Sequence, residues 1–334
     1  MRAVRFVFVA FLAAAVGMGL AVATLRMPYK GFKGPEVFVD IPKGTSTAGI
    51  AGRLARAGVI RYAWQLLAAR ALRADARLEA GEYRFAAADT AWNVFGRLAR
   101  GDVFYYELTV PEGDNVFDIA RKVGALGRMK REDMLRAAAD ASPIRDLDAK
   151  APTLEGYLFP STYRLTRHTT AGELCRTMTA EFRKEWRSLD PGGASVHDTV
   201  TLASMVEKET GNAAERPLVA SVFRNRLEKG MALDCDPTAI YAALMDRRYR
   251  GAIHRSDLES QNAYNTYRHA GLPPGPIANP GRASLQAALE PANSDYLYFV
   301  AKADGTGHRF SRTMAEHNER VKEYRRGLKA RGGE

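Results

Sequence analysis

Val39-Asp-Ile-Pro-Lys-Gly44 leads into Ile50-Ala51 and Leu54, and the pattern returns at Leu108-Thr-Val-Pro-Glu-Gly113, which leads into Ile119-Ala120 and Val123. In each copy the first residues read as a strand, Pro-x-Gly as a turn, and the later apolar spacing as a short amphipathic helix. Two such units predict a small α+β module. Chance, helped by common turn chemistry, is the plain alternative. Between the copies, Trp64 to Leu72 reads as an apolar helix and Gly81-Glu-Tyr-Arg-Phe85 as a strand. Thr90 to Arg100 reads as a helix that turns Trp92, Phe95 and Leu98 inward. After the second copy, Arg131 to Ala139 is a further helix by propensity, and Asp140 to Pro152 a loop. The module is therefore expected to occupy residues 37–150.

Upstream, Phe6 to Leu25 carries no charge and is almost wholly apolar. Its length matches the hydrocarbon thickness of a bilayer. Arg2 and Arg5 precede it, while Arg26, Lys30 and Lys33 follow, so the basic residues alone leave its orientation open. A very short flank ahead of a long body favours export of the body. Ala21-Val22-Ala23 resembles a signal cleavage site, but the apolar stretch exceeds the usual h-region of roughly 7–15 residues, which favours a retained anchor. The expectation is a cytoplasmic N-terminus over 1–5, a transmembrane helix over 6–25 and a Pro/Gly linker over 26–36.

The chain of 334 residues, 46% of them hydrophobic, can bury two or three cores. Its 49 basic and 38 acidic residues give a net charge of +11, which suits nucleic acid, anionic lipid or an acidic polymer. No zinc-finger spacing, aromatic RNA-binding motif or concentrated basic helix accompanies that charge, so nucleic acid is not the expected partner. Cys175 and Cys235 form no metal motif. They read as two separate buried thiols or as a pair in an oxidising compartment.

Residues 151–330 read as a mixed α+β catalytic domain. Leu154-Glu-Gly-Tyr-Leu-Phe-Pro-Ser-Thr-Tyr-Arg-Leu165 has a strand-and-turn composition. Ala171 to Leu189 is a long amphipathic helix carrying Leu174, Met178, Phe182 and Trp186. Then comes Leu202-Ala-Ser-Met-Val-Glu-Lys-Glu-Thr210, followed by Glu215-Arg216. On a helical wheel Leu202, Met205, Val206 and Glu209 share one stripe, and Glu207, roughly 160° away from Glu209, points out beside the more open Ala203 side. A carboxyl on an apolar stripe is desolvated and tends to keep its proton near neutral pH, as a general acid must. A carboxylate bonded to a neighbouring backbone or Arg is the plain alternative.

Pro217 opens the next helix, which ends at Lys229–Gly230. A helix follows Asp234-Cys-Asp-Pro-Thr238 to Met245, and Arg247, Arg248, Arg250, His254 and Arg255 read as a solvated basic loop. Tyr264-Asn-Thr-Tyr267, Gly271-Leu-Pro-Pro-Gly-Pro-Ile277 and Asn279-Pro-Gly281 cannot be regular helix or central strand. A rigid loop rich in hydroxyl and amide groups suits a binding cleft. Tyr264, Asn265 and Thr266 are the candidate substrate contacts of that cleft, with Pro273, Pro274 and the residues to Ile277 as a wall. Tyr296 to Val300 reads as a strand, Gly305 to Gly307 as a hairpin turn, and Thr313 to Lys329 as a terminal basic helix.

Six scattered histidines form no metal-binding pair, Ser204 lies in no nucleophile elbow, and no phosphate-cradling loop occurs; no cofactor is expected. Ordinary glycosidases use two carboxylates. One glutamate suffices when the substrate supplies its own nucleophile, as the 6-hydroxyl of muramic acid can.

The sequence resembles the endolytic murein transglycosylase (YceG-like) family. The resemblance rests on Glu155-Gly-Tyr-Leu-Phe-Pro160, Ala203 to Thr210, Glu215-Arg216, Asn225-Arg226-Leu227, Asp236-Pro-Thr238, Tyr264 to Tyr267, Gly271 to Ile277 and Tyr296 to Val300. It runs over nearly the whole chain. It implies a bacterial inner-membrane anchor, a LysM-like region and a periplasmic lytic domain that cuts nascent peptidoglycan strands, with wall-synthesis enzymes as partners. The catalytic glutamate of the family corresponds to Glu209, with Glu215, Arg216 and Asp236 in supporting places. The small strand–helix units likewise resemble LysM-like glycan-binding folds; Tyr105 and Tyr106 could stack on sugars but suit a strand or core equally. Two alternatives stay open: a hydrolytic muramidase using Asp236 or Glu207 as a second carboxylate, and a non-catalytic peptidoglycan-binding scaffold.

Overall fold

A computed structural model of the chain describes residues 22–331, together with 12, 16, 17 and 19. The N-terminus over 1–5 lies outside the described residues, as does most of the expected transmembrane segment 6–25. Among the described residues no helix is long and apolar enough to cross a membrane.

The chain divides into two compact units, residues 1–106 and 107–334. In the first, β1 (Val37–Ile41), α1 (Thr47–Arg56), α2 (Ala63–Leu72), β2 (Gly81–Phe85) and α3 (Ala91–Arg100) follow in order. β1 and β2 pair antiparallel, Val37 opposite Phe85 and Ile41 opposite Gly81. The helices start where capping residues stand: Ser46 accepts from the Gly49 amide and Thr90 from the Asn93 amide. Their apolar stripes bury Ile50, Leu54, Leu66, Phe95 and Leu98 against Val39, Ile41, Tyr83 and Phe85. Leu25 belongs to that core and is 1% exposed. The Gln65 amide donates to the Thr24 carbonyl at 3.1 Å, so the end of the apolar N-terminal stretch is part of this unit.

The second unit contains β3 (Tyr106–Val110, whose first residue lies at the boundary), α4 (Val116–Ala125), α5 (Arg131–Ala139), β4 (Ser161–Leu165), α6 (Ala171–Ser188), α7 (Val196–Glu209), α8 (Arg216–Glu228), α9 (Asp236–Met245), α10 (Arg255–Leu258), α11 (Arg282–Leu289), β5 (Tyr298–Ala301), β6 (His308–Ser311) and α12 (Met314–Arg331). β3 pairs with β4, and β5 pairs antiparallel with β6. The fold is thus mixed α+β, with small sheets and a majority of helix.

Both repeat copies form a five-residue strand, a turn on a positive-φ glycine (Gly44, 81°; Gly113, 80°) and a ten-residue helix in the same register. They nevertheless lie in different units. The division falls at 106/107, inside the stretch 37–150 grouped as one module from sequence. The reason is pairing. The first strand pairs with β2, whereas β3 pairs with β4. The Val116 amide at the start of α4 donates to Glu155 at 3.0 Å, and the Gly113 amide to the Asn279 carbonyl at 2.9 Å. The second copy is therefore stitched into the larger unit.

Candidate active site

α7 begins at the Ser195 cap and buries every residue from Thr199 to Val206. Glu209 is its last residue, and the amide of Thr210 closes the turn on the Val206 carbonyl at 3.2 Å. The same helix faces the core of Met205, Val206, Val219, Phe223, Leu233, Cys235 and Tyr264. Glu209 emerges from that core into a cleft of about 330 Å³, lined also by Arg226, Asp234, Asp236, Tyr267, Tyr298, Met314 and His317.

Burial pushes the Glu209 carboxyl up to about 7, and Asp236 adds to the rise. A bond to Cys235 and the charges of His308 and Arg226 act the other way. Standing at a helix C-terminus, where backbone carbonyls make the potential negative, works in the same direction as burial. Glu209 is therefore a carboxyl shared between acid and base forms near neutral pH and open to a cleft, which is the condition for giving and then taking a proton. A roomier hollow of about 800 Å³, with Arg128, Asp133, Asp140 and Arg167 among its lining, lacks such an acid. There Asp140 is held below the ordinary carboxylate range by bonds from the Ser142 amide and hydroxyl.

Glu207 does not point to solvent as the wheel predicts. Its side chain is 5% exposed and pairs with Arg216 at 3.0 Å. Its other oxygen accepts from the Gly281 amide, the cap of α11, at 2.9 Å. A wheel describes one helix alone; here α8 and α11 cover its other face. Ion-paired and enclosed, Glu207 is a tie between three helices. Arg216 completes that tie, with Glu112 a further 3.6 Å neighbour. Glu215, at the start of α8, accepts from the His308 amide and imidazole at 2.8 Å each. Burial alone would raise it, but these bonds hold it below the usual range. Glu215 and Arg216 thus organise elements around the cleft without lining it.

Asp236, which opens α9, does line the cleft and accepts from the Tyr267 hydroxyl at 2.6 Å. Of Tyr264 to Tyr267, only Tyr267 reaches it. Asn265 is 0% exposed and donates to the carbonyls of Asp257, Leu258 and Ser260. Thr266 is 1% exposed and bonds to Thr238 at 2.8 Å and to the Cys235 amide at 3.1 Å. Tyr264 is 7% exposed and packs on Tyr241, with ring centroids 5.1 Å apart. Asn265 and Thr266 use their side-chain polar groups to hold the loop in shape, and none of the three lines the cleft. Pro273 is buried and Pro274 exposed, and neither lines the cleft. A loop without regular hydrogen bonds must satisfy its backbone with its own polar side chains, so its Asn and Thr turn inward.

The Glu155 motif is structural in the same way. Burial raises the Glu155 carboxyl to about 8. It accepts from the Val116 amide and from Asn279 at 3.0 Å each. Asn279 also accepts from the Gly156 and Leu158 amides, both at 2.9 Å. Cys175 and Cys235 are free and buried, which removes the paired alternative.

Arg226, Tyr298 and His317 were not among the sequence candidates. Tyr298 sits in a strand whose alternation alone puts it on one face with Tyr296. Arg226 stands in the Asn-Arg-Leu stretch of the resemblance, which gave it no role. His317 had no local signal.

Residues 39–323 match the sequence pattern of the YceG-like family. A curated protein of Bacillus subtilis (strain 168), named endolytic murein transglycosylase, is 33% identical over 308 residues, covering 86% of this chain and 84% of that protein. One of Streptococcus pneumoniae (strain D39), with the same name, is 28% identical over 327 residues; the match covers 86% of this chain but only 58% of the pneumococcal protein. The crystal structure of a YceG-like protein from Listeria monocytogenes aligns with a TM-score of 0.55 at 34% identity, over 85% of this chain and 98% of that one.

Proposed function

The chain belongs to the YceG-like family, and on that premise we propose that it is an endolytic peptidoglycan lytic transglycosylase with Glu209 as its acid and base. The observation that carries this reading is a single carboxyl raised to about 7 at the edge of a polar cleft. Glu209 gives its proton to the glycosidic oxygen between MurNAc and GlcNAc as the bond to the MurNAc anomeric carbon breaks. The 6-hydroxyl of the same MurNAc attacks that carbon, and its proton passes to the Glu209 carboxylate. The product is a 1,6-anhydro-MurNAc end, no water is consumed, and the glutamate returns to its starting form. Asp234 and Asp236, lining the same cleft, supply negative potential for the oxocarbenium-like charge of the transition state.

The uncharged stretch Phe6 to Leu25 supports a single-pass anchor in the inner membrane, with the rest of the chain outside the cytoplasm. An enzyme so placed meets glycan strands as they are made, and ends them during wall assembly. The family resemblance supports peptidoglycan synthases as partners, and a LysM-like contribution to glycan binding from the strand–helix units.

The presence of Asp236 beside Glu209 favours one second reading, a hydrolytic muramidase with Asp236 as the other carboxylate. A non-catalytic scaffold predicts binding to sacculi without release of fragments. Digestion of purified sacculi with mass detection separates the three. The transglycosylase releases anhydro-muramyl ends, and Glu209→Gln loses nearly all of that release while remaining folded. Wild-type rates from Glu209→Gln would remove Glu209 from the chemistry.

A further inference from the structure

Arg226 reaches the cleft from α8 through a tightly specified path. Its Nε donates to the Leu297 carbonyl at 2.7 Å. Its Nη1 donates to the carbonyls of Ala232 at 3.1 Å and Leu233 at 3.0 Å, and to Asp234 at 3.3 Å. The guanidinium lies over the Tyr298 ring, 5.1 Å from its centroid. Tyr298 is backed in turn by His317 of α12, with ring centroids 5.3 Å apart and planes at 25°. The side chain is only 11% exposed, so the whole group is held as one rigid piece.

That arrangement uses Nε and Nη1 fully. No described residue accepts a hydrogen bond from Nη2, and Nη2 is not among the buried polar atoms lacking a partner. Arg226 also lines the cleft with Glu209. It therefore offers a fixed, charged donor edge to whatever occupies the cleft. A carboxylate is a poor candidate, because Asp234, Asp236 and Glu209 line the same small space and would repel it. The fitting partner is a neutral, strongly polar oxygen, and a charge-assisted donor to an amide carbonyl is among the stronger neutral-ligand contacts.

We propose that the Nη2 edge of Arg226 binds the acetamido carbonyl oxygen of an N-acetylhexosamine lying beside Glu209, and so selects N-acetylated glycan. The substrate class rests on the transglycosylase reading, whereas the donor edge rests on geometry alone. Arg226 is a contact and specificity residue in this account, with Tyr298 and His317 holding it in place.

The test is a comparison of ligands across variants, made in a Glu209→Gln background so that turnover does not intervene. Binding of a β-1,4 oligomer of N-acetylglucosamine is measured against the glucose oligomer of the same linkage and length, which carries a 2-hydroxyl in place of each acetamido group. The preference for the N-acetylated oligomer is expected to fall by about tenfold or more in Arg226→Gln, the size of one charge-assisted hydrogen bond. Arg226→Lys keeps a cation for the Ala232 and Leu233 carbonyls but has one nitrogen and cannot serve both them and the ligand. It is expected to lose the same preference and keeps the test open if Arg226→Gln unfolds. A preference unchanged in either folded variant would overturn the proposal. That result leaves untouched the release of anhydro ends by the wild type, which is read separately.

Discussion

At the scale of the residue, a raised proton affinity together with a place on the cleft singles out Glu209. In the proposed reaction the acid form is present at the start, and burial raises the titration of Glu209 to about 7. Activity from that acid therefore falls as pH rises through about 7, giving the alkaline limb of the kcat/KM profile. Glu209→Gln is expected to lose about 10²–10⁴-fold, the usual worth of a positioned proton donor. Cys235 favours the carboxylate form of Glu209 by hydrogen bonding. In Cys235→Ala the limb should accordingly move to higher pH; a limb that stays in place would show that the thiol does not touch the titration. Glu155 gives a prediction about stability. Its folded-state titration, raised to about 8 by burial, lies above the unfolded value near 4.5, so its contribution is full below that unfolded value. It is lost as pH rises through about 8. Urea midpoints at pH 5.5 and 8.5 should differ in the wild type and converge in Glu155→Gln.

At the scale of the element, two buried ties set the cleft walls. One is Glu207–Arg216, which joins α7 to α8 and to the start of α11. Arg216→Met leaves Glu207 enclosed without its cation and is expected to cost about 3–5 kcal/mol, read by urea unfolding. The other is Glu215 with the β5–β6 hairpin. Gly307 has φ 141°, and a Cβ there would lie 2.1 Å from the Glu215 Oε1. Gly307→Ala must displace either Glu215 or the hairpin that carries Tyr298, with an expected loss of about 1–3 kcal/mol. The elements themselves were legible in sequence because caps, glycine turns and apolar spacing agree: Ser195 and Thr170 begin α7 and α6, and apolar positions on α6 such as Leu174, Met178, Phe182 and Trp186 are buried. What was not legible is how elements cover one another. Glu207 looked free on its own helix, and Asn265 and Thr266 looked available on their own loop. Glu207 is engaged by Gly281 and Thr266 by Thr238 and Cys235, all far away in sequence, whereas Asn265 turns back on the carbonyls of Asp257, Leu258 and Ser260. For the same reason Glu209 could be found from one helix, whereas Arg226 and His317 became visible only when α8, β5 and α12 met.

At the scale of the whole molecule, the limit of the small unit lies further upstream than the linker suggested. Thr24 and Leu25 are part of its bonding and core, although the apolar run they end reads as one membrane segment. Deleting residues 2–21 should release the protein from the membrane fraction with its unfolding midpoint unchanged. Extending the deletion through Leu25 should lower that midpoint, since a fully buried leucine contributes about 2–5 kcal/mol. Equal midpoints for the two truncations would place Leu25 outside the core.

The measurement that bears most directly on the central claim is digestion of sacculi in water enriched in heavy oxygen. If the 6-hydroxyl of MurNAc is the nucleophile and Glu209 only moves protons, the new anhydro ends carry no heavy oxygen at the anomeric carbon. Reducing ends labelled at that carbon would contradict the account and make the enzyme a hydrolase.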